Sequence, residues 1–352
     1  MSIDYHSSSL RLSCMSVSKP QSLVFLLLLC LIALDADCFG RALAADSLDD
    51  YLKHLGYEGI AFKNSESDKP VIQGVLNGKK RDFLVDTGWG ITSLDQPSAR
   101  ACKTPAEMGV ALEDSYLGTI TNSAVVIMEK LVLGRAQFLN QPARVRPLQM
   151  DFIAVGYDGI LGCDFFHRNF CLVDCAGKKL FVRAAMPSNE QADALAQTLN
   201  QSGFGKVQLR QHGILALKAL INEQPILLGV DTGYFVSALD ESLIKPLGLS
   251  IVKQGATGTL LKDDLDAKII GVGKIGAHKL RVTTLKRLQI GPRIWQEVHV
   301  GVANLKDWGI GELGTPAEDL QGLLGAELLA THGALIDFAS NTLWFRPEKK
   351  KH

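Results

Sequence analysis

The sequence predicts a mainly β protein made of two equivalent halves. Three observations carry that reading. First, Asp86-Thr87-Gly88 recurs as Asp231-Thr232-Gly233, 145 positions later, inside flanks that repeat without a gap. Second, Gly159-Ile160-Leu161-Gly162 recurs as Gly322-Leu323-Leu324-Gly325 at an offset of 163. Third, the apolar stretches around these blocks are short and bounded by turn formers, as strands are. The 352 residues allow about two domains of ordinary size. With 47% hydrophobic and 21% charged residues, 33 Gly and 12 Pro, the composition is that of a globular chain. The 37 Lys and Arg balance the 37 Asp and Glu, so no uniform field draws the protein onto nucleic acid or an anionic membrane.

The amino terminus reads as an export signal, residues 1–45. Its apolar run, residues 23–34, is too short for an ordinary membrane span, follows Lys19 and precedes the small residues Ala42, Ala44 and Ala45. Cleavage near Ala44 or Ala45 leaves a mature chain from about Asp46, periplasmic or secreted, with no stable membrane insertion. An uncleaved signal anchor is the alternative. A start at Met15 gives a more compact leader than residues 1–14 allow. Export removes Cys14, Cys30 and Cys38 and leaves Cys102, Cys163, Cys171 and Cys175, an even number that permits disulfides or buried thiols. Cys171 and Cys175 in one strand stand about 13 Å apart, too far for one bridge. With no CxxC or HExxH motif and scattered histidines, neither metal nor cofactor is expected.

Each half opens with a short helix and a strand, around residues 51–62 and 199–209. A hairpin follows: residues 71–76, a turn at Asn77-Gly78, then Phe83-Leu84-Val85 ahead of Asp86. Its counterpart runs through residues 216–221, Asn222-Glu223 and Leu228-Gly229-Val230. Leu131-Val132-Leu133-Gly134 and Leu288-Gln289-Ile290-Gly291 then introduce β-rich stretches. The glycine-rich residues 271–276 suit either a hairpin over a cleft or a surface turn. Strands Leu172-Val173-Asp174 and Leu180–Arg183 close the first half, and Leu335-Ile336-Asp337 and Leu343–Arg346 the second. Turn formers in residues 184–190 mark the connection, placing the lobes at 46–187 and 188–352 with structured spans of about 57–183 and 204–346.

These residues resemble the retropepsin-like aspartic proteases in their two-lobed, single-chain, bacterial exported form. The resemblance rests on the two Asp-Thr-Gly triplets, the two apolar-apolar-Gly blocks, the helices starting Asp164-Phe165-Phe166 and Glu327-Leu328-Leu329, and the closing strands. It implies two β-barrel lobes related by a pseudo-twofold axis. It also implies Asp86 and Asp231 as a catalytic pair acting through water on a polypeptide substrate. Thr87, Gly88, Thr232 and Gly233 would form the supporting loops, with Ile160, Leu161, Gly162, Leu323, Leu324 and Gly325 packed beneath them. Chemistry agrees, because a strand ending at Asp-Thr-Gly exposes a short carboxylate on a turn that glycine lets another backbone approach. Two copies in one chain make a monomer sufficient.

One departure stands out: members of the family usually carry a small residue after the triplet, and here Trp89 and Tyr234 stand there. Bulky aromatics in both copies keep open the alternative of a catalytically inactive, protease-fold peptide-binding or scaffold protein. Tyr116 and His212 are assigned to no site.

Overall fold

The computed structural model describes residues 48–63, 69–102, 124–146, 148, 156–183, 185–252, 272–273, 276–277, 281–305 and 320–348. The leader, Met15 and Tyr116 lie outside the described residues, as does the side chain of His212. Among the described residues no helix is long and apolar enough to cross a membrane.

The first half begins with helix α1 (Leu48–His54) and strand β1 (Glu58–Ala61). Strands β2 (Val71–Leu76) and β3 (Lys79–Val85) form the hairpin, joined at Asn77 and Gly78, whose φ values of 47° and 84° both need the left-handed region. Asn and Gly tolerate that region best, and this geometry matches the twist of the flanking strands. Next come β4 (Ser93–Leu94), α2 (Gln96–Ala99), and the long hairpin of β5 (Val125–Leu133) and β6 (Ala136–Val145). Then follow β7 (Gly159–Leu161), α3 (Cys163–Arg168), β8 (Leu172–Asp174) and β9 (Lys179–Val182). Six strands close a barrel in the order β2-β3-β7-β4-β6-β5.

Helix α4 (Asn189–Gln201) opens the second half with a capping box, Ser188 Oγ accepting from the Gln191 amide while the Gln191 side chain accepts from the Ser188 amide. Strands β10 (Gly205–Gln208), β11 (Arg210–His212), β12 (Ile214–Ile221), β13 (Gln224–Val230) and β14 (Ala238–Asp240) follow, then a 3-10 turn, Glu241–Leu243, and β15 (Ile251–Val252). A two-residue pair, β16 (Val272–Gly273) with β17 (Gly276–Ala277), lies within the glycine-rich stretch. The half ends with β18 (Arg281–Ile290), β19 (Arg293–Ala303), β20 (Gly322–Leu324), α5 (Ala326–Thr331), β21 (Ala334–Asp337) and β22 (Thr342–Phe345). Pairing of β12 with β18 closes the second ring, β12-β13-β20-β14-β19-β18, strand for strand the equivalent of the first.

The halves do not close independently. Strands β1, β9 and β8 continue into β21, β22 and β10 as one six-stranded sheet, joined where Val173 faces Ile336 across the β8–β21 pair. Successive side chains point to opposite faces of a strand, and both faces of this sheet are buried. Leu172, Phe181, Leu335 and Trp344 meet Leu48 and Leu52 of α1 and Leu195 and Leu199 of α4. Val173, Leu180, Ile336 and Leu343 join the main core. All four cysteines of the described residues are free thiols, with Cys163, Cys171 and Cys175 buried.

Candidate active site

The site is built from two strand ends. In the first barrel β3 runs parallel to β7, with Val85 beside Leu161, and the Asp86 amide donates to the Leu161 carbonyl at 3.1 Å. In the second, Val230 lies beside Leu324, and the Asp231 amide donates to the Leu324 carbonyl at 3.0 Å. Ile160, Leu161, Leu323 and Leu324 are thus the parallel neighbours of the strands that carry the aspartates. Gly162 and Gly325 follow them where there is no room for a side chain. A Cβ would stand 2.6 Å from the Trp89 carbonyl oxygen at the first and 2.7 Å from the Ser237 amide nitrogen at the second.

The two loops interlock. Thr87 Oγ1 donates to the Val230 carbonyl at 2.8 Å and accepts from the Thr232 amide at 3.0 Å. Thr232 Oγ1 mirrors it, donating to the Val85 carbonyl at 2.8 Å and accepting from the Thr87 amide at 3.1 Å. These four buried bonds tie the backbone of each loop to the threonine of the other across the pseudo-twofold axis. Each aspartate lies against the other loop's glycine: a Cβ on Gly88 would sit 2.1 Å from the Asp231 Cγ, and one on Gly233 2.1 Å from an Asp86 oxygen.

The two aspartates are 7% exposed each, and each carboxyl lies against the other's loop. The Asp86 carboxylate accepts from the Gly88 amide and the Asp231 carboxylate from the Tyr234 amide, both at 2.9 Å, while the Trp89 amide donates to the Asp86 main-chain carbonyl at 3.3 Å. Burial pushes both carboxyls upward. At Asp86 this is opposed first by the ammonium of Lys69; Asp231 is driven well above the usual carboxylate range by burial and then by the charge of Asp86.

The aromatics after the triplets leave the amides in place. Trp89 donates its ring N–H to Ser93 Oγ at 3.0 Å and lies under the guanidinium of Arg146, 5.1 Å from the ring centre. Its indole packs with Val71, Leu84, Tyr157 and Ile160. Leu84 lies two residues before Asp86, so the indole covers the strand face from which Asp86 projects. Tyr234 is buried in the main core, and its hydroxyl is held strongly protonated by burial and by Asp231 and Glu327.

Further residues support the loops. Asp164 of α3 accepts from the Thr92 amide and hydroxyl, both at 2.7 Å, and Thr92 Oγ1 accepts from the Gly162 amide at 3.2 Å. Glu327 of α5 accepts from the Ser237 amide at 2.5 Å, and Ser237 Oγ from the Gly325 amide at 2.8 Å. The thiol of Cys163 donates to the Thr87 carbonyl at 3.0 Å. Hydroxyl-bearing Thr92 and Ser237 share the 145-residue offset, and acidic Asp164 and Glu327 the 163-residue offset. The repeat therefore holds the signal that finds these four; Lys69 and Cys163 have no such counterpart, with Ile214 and Ala326 at the matching places.

No family model matches the sequence, and no curated protein matches it either. Among solved structures the chain is similar to an aspartic proteinase from Irpex lacteus, with a TM-score of 0.46 and 12% identity over 84% of this chain and 98% of that one. It is also similar to a retropepsin-like aspartic protease from Rickettsia conorii, with a TM-score of 0.26 and 22% identity over 41% of this chain and 89% of that one. Two six-stranded barrels that meet at paired Asp-Thr-Gly loops are the arrangement that the resemblance in the sequence implies.

Proposed function

We propose that the protein is an exported aspartic endopeptidase, monomeric and built of lobes 46–187 and 188–352, which hydrolyses peptide bonds with a water activated by Asp86 and Asp231. The observation that carries the reading is the buried pair of aspartates, each packed against the glycine of the other's loop and each accepting from a backbone amide of its own loop. Two carboxylates packed against each other's loops cannot both ionise cheaply, so they titrate in two well-separated steps that belong to the pair. Between the steps Asp86 carries the charge and Asp231 the proton. The Asp86 carboxylate takes a proton from the water as its oxygen attacks the peptide carbonyl, while Asp231 O–H donates to the carbonyl oxygen. Collapse of the tetrahedral intermediate returns a proton to the leaving amine. Removal of the leader places the mature chain in the periplasm or outside the cell.

Turnover of an unstructured protein substrate by the mature chain across pH tests this. A bell-shaped profile is expected, with Asp86→Asn and Asp231→Asn each lowering turnover at least about 100-fold, the scale of lost general acid–base catalysis. Parental rates in either variant would remove the pair from the mechanism. The indole of Trp89 over the face beside Asp86 favours a second reading, a fold that holds peptide without cutting it. Tight peptide binding with no cleavage at any pH decides for that one.

A further inference from the structure

One place in the molecule breaks the symmetry of the two halves. A cavity of about 330 Å³ is lined by residues of both, among them Phe62 and Cys175 of the first and Thr232, Phe235, Ala326 and Ala330 of the second. That is the liquid volume of about eleven waters, at about 30 Å³ each, whereas packed interiors leave few voids larger than one.

The repeat shows what the equivalent place across the axis holds. At the 163-residue offset Cys175 corresponds to Phe338, Ala330 to His167 and Ala326 to Cys163. There the buried Phe338 ring lies 5.0 Å from the His167 ring, His167 Nδ1 donates to the Phe338 carbonyl at 3.2 Å, and the Cys163 thiol reaches the Thr87 carbonyl. Two rings and a thiol fill that place, whereas a thiol and two methyls line the cavity. Phe235, which stands where the first half has Gly90, does not make up the difference, because the cavity remains.

The wall is largely apolar, and most of its charged groups are engaged. Lys63 is bound to both oxygens of Asp82, at 2.6 and 2.7 Å, Glu327 accepts from the Ser237 amide at 2.5 Å, and Lys69 has a contact of its own. Lys178 differs: it is exposed, in the turn between β8 and β9, and among the described residues it makes no ion pair. Burial pushes the Glu327 carboxyl up to about 7, so below that pH it sets no negative charge against Lys178. A ligand that fits buries an apolar body in the cavity and brings its own negative charge to the lysine.

We propose that this cavity binds a small organic anion, a carboxylate on a compact apolar body, which takes the volume that Phe338 and His167 fill in the other half and pairs with Lys178. Neither Asp86 nor Asp231 belongs to the cavity wall, so the site stands apart from the protease reading.

The test titrates 3-phenylpropanoate into the mature chain at pH 6, with ¹³C-labelled alanine methyls so that Ala326 and Ala330 report from the wall. Saturable shifts of those two signals are expected, with a Kd of about 5 mM or tighter, the ordinary efficiency of a ligand of that size. Lys178→Asn installs the residue of the equivalent position, Asn341, where φ is 51° as it is at Lys178. It is expected to weaken binding about two- to fivefold, the scale of an exposed ion pair, and the neutral analogue 3-phenylpropanamide is expected to bind the parent more weakly by at least as much. The double variant Cys175→Phe with Ala330→His fills the cavity as the other half is filled and is expected to abolish the Ala326 shift. No saturable shift in the parent overturns the proposal, as does undiminished binding of the amide, of the acid by Lys178→Asn, or of the acid by the folded double variant. Should the double variant fail to fold, the amide and Lys178→Asn decide. Saturable binding in a chain that cleaves no protein upholds the site and counts against the protease reading alone.

Discussion

Asp86 and Asp231 meet because Gly88 and Gly233 have no side chains. Each carboxyl occupies the space that a Cβ on the opposite glycine would fill, 2.1 Å from the nearest carboxyl atom, so the loops dock only as a matched pair. Gly88→Ala must therefore push Asp231 or its whole loop aside, breaking the threonine bonds as well as the carboxyl contact. We expect loss of stability by about 1–3 kcal/mol, as for an overpacked core, together with loss of cleavage. Thermal unfolding and a protease assay on one preparation check both; an alanine variant with parental melting and turnover contradicts the geometry. Trp89 works differently, since its backbone N–H donates to the Asp86 carbonyl while its indole packs with Leu84 and Ile160.

Helices α3 and α5 perform one task with two acids. Asp164 is short and takes three hydrogen bonds, from the Thr92 amide and hydroxyl and its neighbour Phe165, whereas Glu327 reaches the Ser237 amide with one oxygen and buries the other. Burial pushes the Glu327 carboxyl from its ordinary 4.5 up to about 7. Between those values the folded protein keeps a proton that the unfolded chain releases. The associated stability is full below pH 4.5 and is lost as pH rises through 7, in total about 3 kcal/mol at 1.36 kcal/mol per unit. The raised carboxyls of the aspartate pair act in the same direction. Glu327→Gln keeps an acceptor for the Ser237 amide, so its stability, from denaturant unfolding at pH 4.5 and 7.5, is expected to fall less over that interval than the parent's. An unchanged pH slope in the Gln variant rejects Glu327 as its source.

The six-stranded sheet makes the two barrels one molecule. At its centre β8 of the first half pairs with β21 of the second, and Arg346 reaches back across to Asp174, with Nη2–Oδ2 at 2.7 Å and Nη1–Oδ1 at 3.3 Å. The Asp174 side chain is 1% exposed; burial raises its carboxyl and Arg346 is the main force lowering it. Arg346→Met strands that carboxylate, and urea unfolding is expected to show a loss of about 3–5 kcal/mol. Adding Asp174→Asn removes the stranded charge, so the double variant should recover part of the loss. A double variant less stable than Arg346→Met by the full cost of Asp174→Asn alone shows that the two groups are not coupled.

The sequence by itself determined the repeat, the hairpins with their Asn turns, the short lead-in helices and the pair of Asp-Thr-Gly loops. These are legible because they rest on local properties: apolar periodicity, turn chemistry and spacing that survives in both copies. Even there the copies differ, since Glu223 takes φ 70° where the first half has Gly78. Only the tertiary structure decided that the halves share one sheet, that Ile160-Leu161 and Leu323-Leu324 run alongside the aspartate strands, and that Trp89 covers one strand face without taking its amide from Asp86. Each of these depends on residues far apart in the chain being driven together by burial, and the cost of burying a charge is set by neighbours that no local spacing names.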